Sequence, residues 1–264
     1  MNLKQTINKS VYGTIGYISS QKDLDLLEQY ILYNLPVLKE YKQIIIATNY
    51  STLELIETNS QLWKKYFPNC ILLDSYINRG HNIGTSDLDD LIFDYCKENN
   101  IEWLCKSAND IIIQENIFNK EIKEADFYYL NGIGYAGAKI YDFDPIRIIN
   151  EYLIDHFYPQ TNFYFINIFK TDHLNNKQHI TDVYENIQQF GGTVWDHGFK
   201  SCEYMLRECI ERNNLKKYHL ITQENFIILM NTILKYNIHD GSNKNIMIEN
   251  ICYFHFSNEH ILEI

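Results

Sequence analysis

The chain is expected to fold as an α/β protein, with a mostly parallel sheet flanked by helices. Three features point that way. Short apolar runs alternate with amphipathic segments through the first half. One run, Ile44-Ile45-Ile46, is a continuous β-branched stretch suited to a strand covered on both faces. Turn-forming residues cluster directly after the runs, where strands of such sheets open into loops. At 264 residues and 45% hydrophobic content the chain fits one large α/β domain, or one domain with a small appendage, and two full domains are not expected.

The first run, Gly13 to Ile18, leads into Ser19-Ser20-Gln21, a turn and helix-start signal. From Asp23, the residues Leu24, Leu27, Tyr30 and Ile31 recur at helical spacing until Pro36, which kinks that helix or begins another. Gln43 to Ala47 is the second strand and ends in a loop at Thr48-Asn49-Tyr50-Ser51. Ile71 to Asp74 is the third, running to the turn-rich segment from Asn78 to Gly84. Ser86, with Asp89 three residues on, forms a short version of the capping box, and the helix it opens buries Leu88, Leu91, Ile92, Tyr95 and Cys96. The fourth strand, Glu102 to Lys106, delivers the chain to Ser107-Ala108-Asn109-Asp110.

Beyond Asp110 the pattern is less regular. Asp126 to Leu130 reads as a strand, Asp144-Pro145 as a helix start, and Asn162 to Phe169 as an aromatic-rich strand. Gly191 to Gly198 is a loop, after which Cys202, Met205, Leu206 and Cys209 mark a helix from Phe199. Thr222 to Leu234 reads as helical and Asn245 to Phe256 as extended. No repeat, low-complexity tract or linker divides the chain, so a single domain over residues 1–264 is expected.

Charge and composition exclude several classes of function. Lys and Arg number 23 against 34 Asp and Glu, a net charge of −11, which repels phosphate backbones and disfavours a nucleic-acid partner. The segment Met1 to Thr6 lacks the apolar core of a signal peptide, and no run approaches the roughly 18 apolar residues of a membrane span, so a cytoplasmic location is expected. The six cysteines show no C-x-x-C pair and read as buried thiols of a reducing compartment. The 21 tyrosines read chiefly as core packing. No Ser-His-Asp arrangement, P-loop or zinc motif is present.

Gly132-Ile133-Gly134-Tyr135-Ala136-Gly137 matches the dinucleotide pattern G-x-G-x-x-G. That pattern works when the glycine turn runs straight into a helix whose N-terminus faces a pyrophosphate. Here the next helix start is near Asp144-Pro145, several residues too late, and the match is read as a decoy.

A distributed constellation says more. Ser19-Ser20, Thr48-Asn49, Asn78-Arg79-Gly80 and Asn109-Asp110 each follow a strand and would converge on one crevice. In this order they resemble the nucleotide-sugar-binding half of the GT-A glycosyltransferases, particularly family 2, over residues 12–130. The resemblance implies a GT-A-like, Rossmann-like sheet with a smaller mixed C-terminal acceptor region over about residues 131–264. It also implies that Ser19 and Asn49 hold the nucleoside and that Asn78, Arg79 and Gly80 form an N-x-G loop, while Asn109 can hydrogen-bond ribose or phosphate or offer a neutral oxygen ligand. Asp110 would bind Mn²⁺ or Mg²⁺, which offsets the charge of the departing diphosphate. This chain departs from the family where a second acid usually precedes that ligand, having Ala108 and Asn109 instead. Taken alone, Asp110 reads more simply as a helix or turn cap.

The same resemblance gives roles to three later features. Trp195-Asp196-His197-Gly198-Phe199 has the look of the loop that carries the catalytic base in inverting members, with Asp196 the base; its plain alternative is a helix N-cap. Trp195 and His197 would pack on an acceptor sugar, or Trp195 is simply core. His255, in Tyr253-Phe254-His255-Phe256, would return to the metal as a second ligand, or is a packed core histidine. The expected function is glycosyl transfer, with inversion, from a UDP- or GDP-sugar to a hydroxyl of a glycan or glycoconjugate. The alternatives are a sugar nucleotidyltransferase, whose Gly-rich basic first loop Ser19-Ser20-Gln21-Lys22 does not match, and a non-catalytic nucleotide-sugar or glycan-binding relative.

Overall fold

Four parallel strands form one half of the sheet, and their carboxyl ends all point to the same side. The computed structural model describes residues 3–50, 52–75, 78–109, 113, 118, 121–131, 157, 159–199 and 201–220. The strands are β1 (Ser10–Ile18), β2 (Ile44–Tyr50), β3 (Ile71–Ser75), β4 (Trp103–Ala108), β5 (Phe127–Asn131), β6 (Pro159–Asn167) and β7 (Lys217–His219). They pair in the order β3-β2-β1-β4-β6-β5-β7. Only β6 runs against its neighbours, which brings its first residues beside the last residues of β4, with Ser107 opposite Phe163. The helices are α1 (Leu3–Ile7), α2 (Gln21–Leu38), α3 (Glu54–Tyr66), α4 (His81–Glu98), α5 (Lys177–Phe190) and α6 (Cys202–Arg212). The expected α/β class with a mostly parallel sheet flanked by helices is the observed one.

Alternation along the strands divides the core into two layers. Tyr12, Ile44, Ile46 and Cys105 face α1, α2 and α3, packing against Leu27, Tyr30, Ile31 and Trp63. Val11, Ile45, Ala47 and Leu104 face the other way, onto Leu88, Ile92 and Phe93 of α4 and Leu206, Cys209 and Ile210 of α6. Every residue of β2 is buried, as expected for a strand covered on both faces. A third cluster ties α5 to the start of α4 and to α6 through Ile83, Ile180, Val183, Phe199 and Met205.

Several boundaries differ from the sequence expectation. β2 does not stop at Ala47, because Thr48, Asn49 and Tyr50 keep pairing with Gly16, Tyr17 and Ile18. Helix α4 starts at His81 after Gly80, not at Ser86; Ser86 and Asp89 are buried within it. Pro36 sits in the last turn of a continuous α2 and does not split it. Helix α6 begins at Cys202, capped by Ser201, whose hydroxyl accepts from Tyr204 N–H at 3.1 Å. Asp196 is therefore not its N-cap. Helices α1, α3 and α5 and the strand β7 escaped the sequence reading. In α3 only Asn59 and Trp63 are buried, so its apolar stripe is short.

The cysteines described, Cys70, Cys96, Cys105, Cys202 and Cys209, are all free thiols, four of them buried. Among the described residues no helix is long and apolar enough to cross a membrane. Asp110, Gly132 to Gly137, Asp144-Pro145, Thr222 to Leu234 and Asn245 to Phe256, with Cys252 and His255, lie outside the described residues.

Candidate functional site

A crevice of about 580 Å³ opens at the carboxyl ends of β1, β2 and β4. Its walls include Gly16 and Tyr17 from β1, Asn49 from β2, Asn78 and Gly80 from the loop after β3, and Gly84 and Thr85 from α4. Lys106, Ala108 and Asn109 come from β4 and its end, Thr161 from β6, and Cys202 and Glu203 from the first turn of α6. Four of the sequence-nominated residues, Asn49, Asn78, Gly80 and Asn109, thus share one cavity.

Close backbone approach shapes this wall. Asn109 N–H donates to Ile15 carbonyl at 3.2 Å, and the Asn109 amide lies directly over Gly16, where a Cβ would come within 2.9 Å of its Cγ. At Gly84 a Cβ would lie 3.2 Å from Asn78 Oδ1 and 3.3 Å from Asn49 Nδ2, so both amides close in on the first turn of α4. Asn78 Oδ1 accepts from Gly80 N–H at 3.0 Å, and Gly80, at φ 92°, starts α4 without a side-chain cap. Asn49 is buried, and its Oδ1 has no hydrogen-bond partner among the described residues. A buried unpaired acceptor is costly, so this one invites a ligand donor.

Two nucleotide-site nominees stand elsewhere. Arg79 is absent from the crevice lining; its guanidinium makes paired bonds to Asp87, donates to Thr181 Oγ1 at 3.3 Å, and lies 5.5 Å from the Tyr184 ring centroid. It ties the loop after β3 to α4 and α5. Ser19, at the exposed end of β1, donates its N–H to Asp23 Oδ2 at 2.8 Å.

The Gly191–Gly198 turn is held by its own contacts. Asp196 Oδ2 accepts from Thr193 N–H at 2.7 Å and from Thr193 Oγ1 at 2.9 Å, and these bonds hold its carboxyl below the usual range. His197 Nε2 lies 2.7 Å from the Gly191 carbonyl oxygen. Trp195 is 61% exposed, which removes the core alternative and leaves its ring open to solvent. None of these three lines the crevice.

Sequence reasoning missed the two charged residues that line it among those described. Lys106 is 1% exposed, its ammonium 3.1 Å from Asp89 Oδ1 on α4 and donating to the Thr161 carbonyl. Burial raises the Asp89 carboxyl above its ordinary range, Lys106 opposes that shift, and Glu203 adds to it. Because Asp89 balances Lys106, Glu203 is the uncompensated charge of the described lining. Its Oε1 accepts from Thr161 Oγ1 at 3.1 Å and its Oε2 from the Cys202 thiol at 3.3 Å. Burial and the neighbouring carboxylate push that thiol up, so it stays protonated as a donor. The available signals were a lone lysine inside the apolar strand Trp103-Leu104-Cys105-Lys106 and an acid just after the capping serine. Both have bland readings, and Thr161 carried no signal at all.

Among the described residues no group of three His, Cys, Asp or Glu side chains could hold a metal ion. The described crevice offers amide oxygens and one carboxylate, which alone do not fit a divalent cation.

No protein-family model matches the chain, and no curated protein matches it. Among solved structures it is similar to the galactosyltransferase LgtC in complex with donor and acceptor sugar analogues, at 8% identity over 79% of this chain and 72% of that one, with a TM-score of 0.43. It is also similar to two structures of the glycosyltransferase GlyE of Streptococcus pneumoniae TIGR4, one of them the apo form. Each is 11% identical over 87% of this chain and 50% of that one, with a TM-score of 0.43. The chain thus spans half the length of GlyE.

Proposed function

We propose that this chain transfers a glycosyl group from a nucleotide-activated sugar to an acceptor hydroxyl. The observation that carries the reading is the meeting of Asn49, Asn78, Gly80 and Asn109 in one cavity at the carboxyl ends of parallel strands. Such a cavity, polar along one wall and closed by α6 on the other, suits a nucleoside diphosphate with its sugar turned toward Glu203.

The reaction we infer is a single displacement with inversion. The acceptor oxygen bonds to the anomeric carbon as its proton passes to a carboxylate. The bond from that carbon to the diphosphate oxygen breaks, and its electron pair leaves with the diphosphate. Glu203 is our choice for the proton acceptor because it lines the cavity. Asp196, the nominee from sequence, is the rival on the turn that precedes α6. The exposed Trp195 ring, with His197, would take the acceptor sugar. Asp110 and His255 are proposed to hold Mn²⁺ or Mg²⁺, and the donor nucleotide is proposed to be UDP or GDP.

The test is a thermal-shift screen of UDP, GDP and ADP with and without Mn²⁺, followed by hydrolysis of a nucleotide-sugar panel. A true donor nucleotide at a hundredfold excess over Kd should stabilise the fold by about 2.7 kcal/mol. Ala108 and Asn109, where a second acid is expected, favour one other reading, a non-catalytic nucleotide-sugar-binding relative. Nucleotide binding with no hydrolysis or transfer would select it.

A further inference from the structure

We infer that Lys106 and Thr161 act as positioning residues for the Glu203 carboxylate, forming with Asp89 a chain of contacts that links α4, β4, β6 and α6 beneath the crevice. The inference rests on the glycosyl-transfer reading and goes beyond it by assigning roles to side chains that neither the motif order nor the resemblance singled out.

The geometry is continuous. Lys106 lies on the face of β4 that meets α4, where Asp89 stands 3.1 Å from its ammonium. The same ammonium donates to the Thr161 carbonyl. Because β6 runs antiparallel to β4, Thr161 enters the sheet beside the carboxyl end of β4, at the crevice. Its hydroxyl then donates to Glu203 Oε1 at 3.1 Å, while the Cys202 thiol donates to Oε2 at 3.3 Å. Both carboxylate oxygens therefore accept a bond from a protein donor, which uses one of the two lone pairs on each.

A buried ion pair is weak evidence of stability, since the cost of desolvating two charges offsets much of their attraction. Lys106 and Asp89 are both nearly out of water, and Tyr164, 5.8 Å from the ammonium, is fully buried below them. An apolar pair would fill the same space. What an apolar pair would not do is donate to the Thr161 carbonyl and so fix the backbone whose hydroxyl reaches Glu203. Misplacing a reacting group by about 1 Å can cost about 100-fold in rate, which makes such a scaffold consequential.

The test compares Thr161→Val, which removes the hydroxyl and keeps the shape, with Thr161→Ser, which keeps the hydroxyl. It adds the charge-balanced double variant Lys106→Met with Asp89→Asn. With a nucleotide sugar turned over by the parent, Thr161→Val and the double variant should lose about 10- to 100-fold in kcat with donor KM within about twofold, and Thr161→Ser should restore most of it. Parent-like kcat in Thr161→Val, or a loss confined to KM, overturns the positioning role while leaving glycosyl transfer standing. A parent inactive on the whole panel overturns the transfer reading and this role together. Should the double variant fail to fold, the valine and serine pair decides alone.

Discussion

The Asn109 amide rests on Gly16, so closely that a Cβ there would reach within 2.9 Å of its Cγ. β1 and the end of β4 thereby share one wall of the crevice, with Asn109 N–H bonded to the Ile15 carbonyl. Gly16→Ala should push the Asn109 amide off that wall. We expect a stability cost of about 1–3 kcal/mol and a larger loss of nucleoside diphosphate binding than that cost explains. Chemical denaturation together with a nucleotide-induced thermal shift would measure both. An alanine variant with unchanged nucleotide binding would show that Asn109 takes no part in the site.

Arg79 is expected to matter for stability more than for ligand affinity. It is 17% exposed, and its partner Asp87 19%. Arg79→Met leaves Asp87 without its cation and frees the loop after β3 from α5. The predicted cost is about 2 kcal/mol in urea denaturation, with nucleotide affinity changed by less than about threefold under conditions where the variant is folded. A stable variant with a large affinity loss would return Arg79 to the ligand-binding set.

Asp90 gives a pH dependence with a definite sign. Burial raises its carboxyl to about 7, against the opposing influence of Lys177 and of the bond from Asn175, with Asp94 and Asp89 adding to the rise. In the unfolded chain the same group ionises near pH 3.9. Between those values the folded protein holds a proton that the unfolded chain has released, so stability falls as pH rises through the window and levels off above about 7. Asp90→Asn should remove about 2.5 kcal/mol of that fall between pH 5 and pH 8, measured as unfolding free energy at the two values. An identical slope in both proteins would show that Asp90 ionises normally in the fold.

The two carboxylates near α6 are separable by isosteric amides. Glu203→Gln should leave nucleotide binding intact and lower turnover by about 10²- to 10⁴-fold. Asp196→Asn keeps an oxygen for Thr193 N–H and should retain most of the activity. The reverse pattern, read in initial rates at saturating donor, would restore Asp196 as the base.

Metal dependence is the fifth expectation. If Mn²⁺ raises the melting temperature of the nucleotide-bound protein, Asp110→Asn should abolish that increment and His255→Ala should reduce it, each leaving the metal-free melting temperature within about 2 °C of the parent. A melting temperature that drops without any Mn²⁺ effect in the parent would make Asp110 a structural cap.

Much of the architecture is legible in the chain because it depends on local patterns. Ile44-Ile45-Ile46 specifies a strand buried on both faces whatever its neighbours, and Leu24, Leu27, Tyr30 and Ile31 specify the buried stripe of α2. The strand-end residues Asn49, Asn78, Gly80 and Asn109 could be nominated for one cavity because parallel topology sends all such ends to one side. Element boundaries were less legible. Asn49 lies within β2 only because β1 and β3 extend far enough to pair with it, and α4 begins at His81 because Gly80 can adopt a positive φ that no preceding cap signal announces.

The sequence by itself determined the α/β class, the succession of the first strands along the chain and the cavity's asparagine-rich wall, since each follows from periodicity, turn chemistry and parallel topology. Only the tertiary structure decided which charges face that cavity. Lys106, Asp89, Thr161 and Glu203 come from β4, α4, β6 and α6, and their meeting depends on β6 returning antiparallel beside β4 and on Ser201 starting α6 where it does. Arg79 was turned away from the site by Asp87, Thr181 and Tyr184, two of them about a hundred residues further along the chain. Contacts between residues so far apart have no local signature, because the free energy that selects them arises only when the layers pack and the buried charges must find partners.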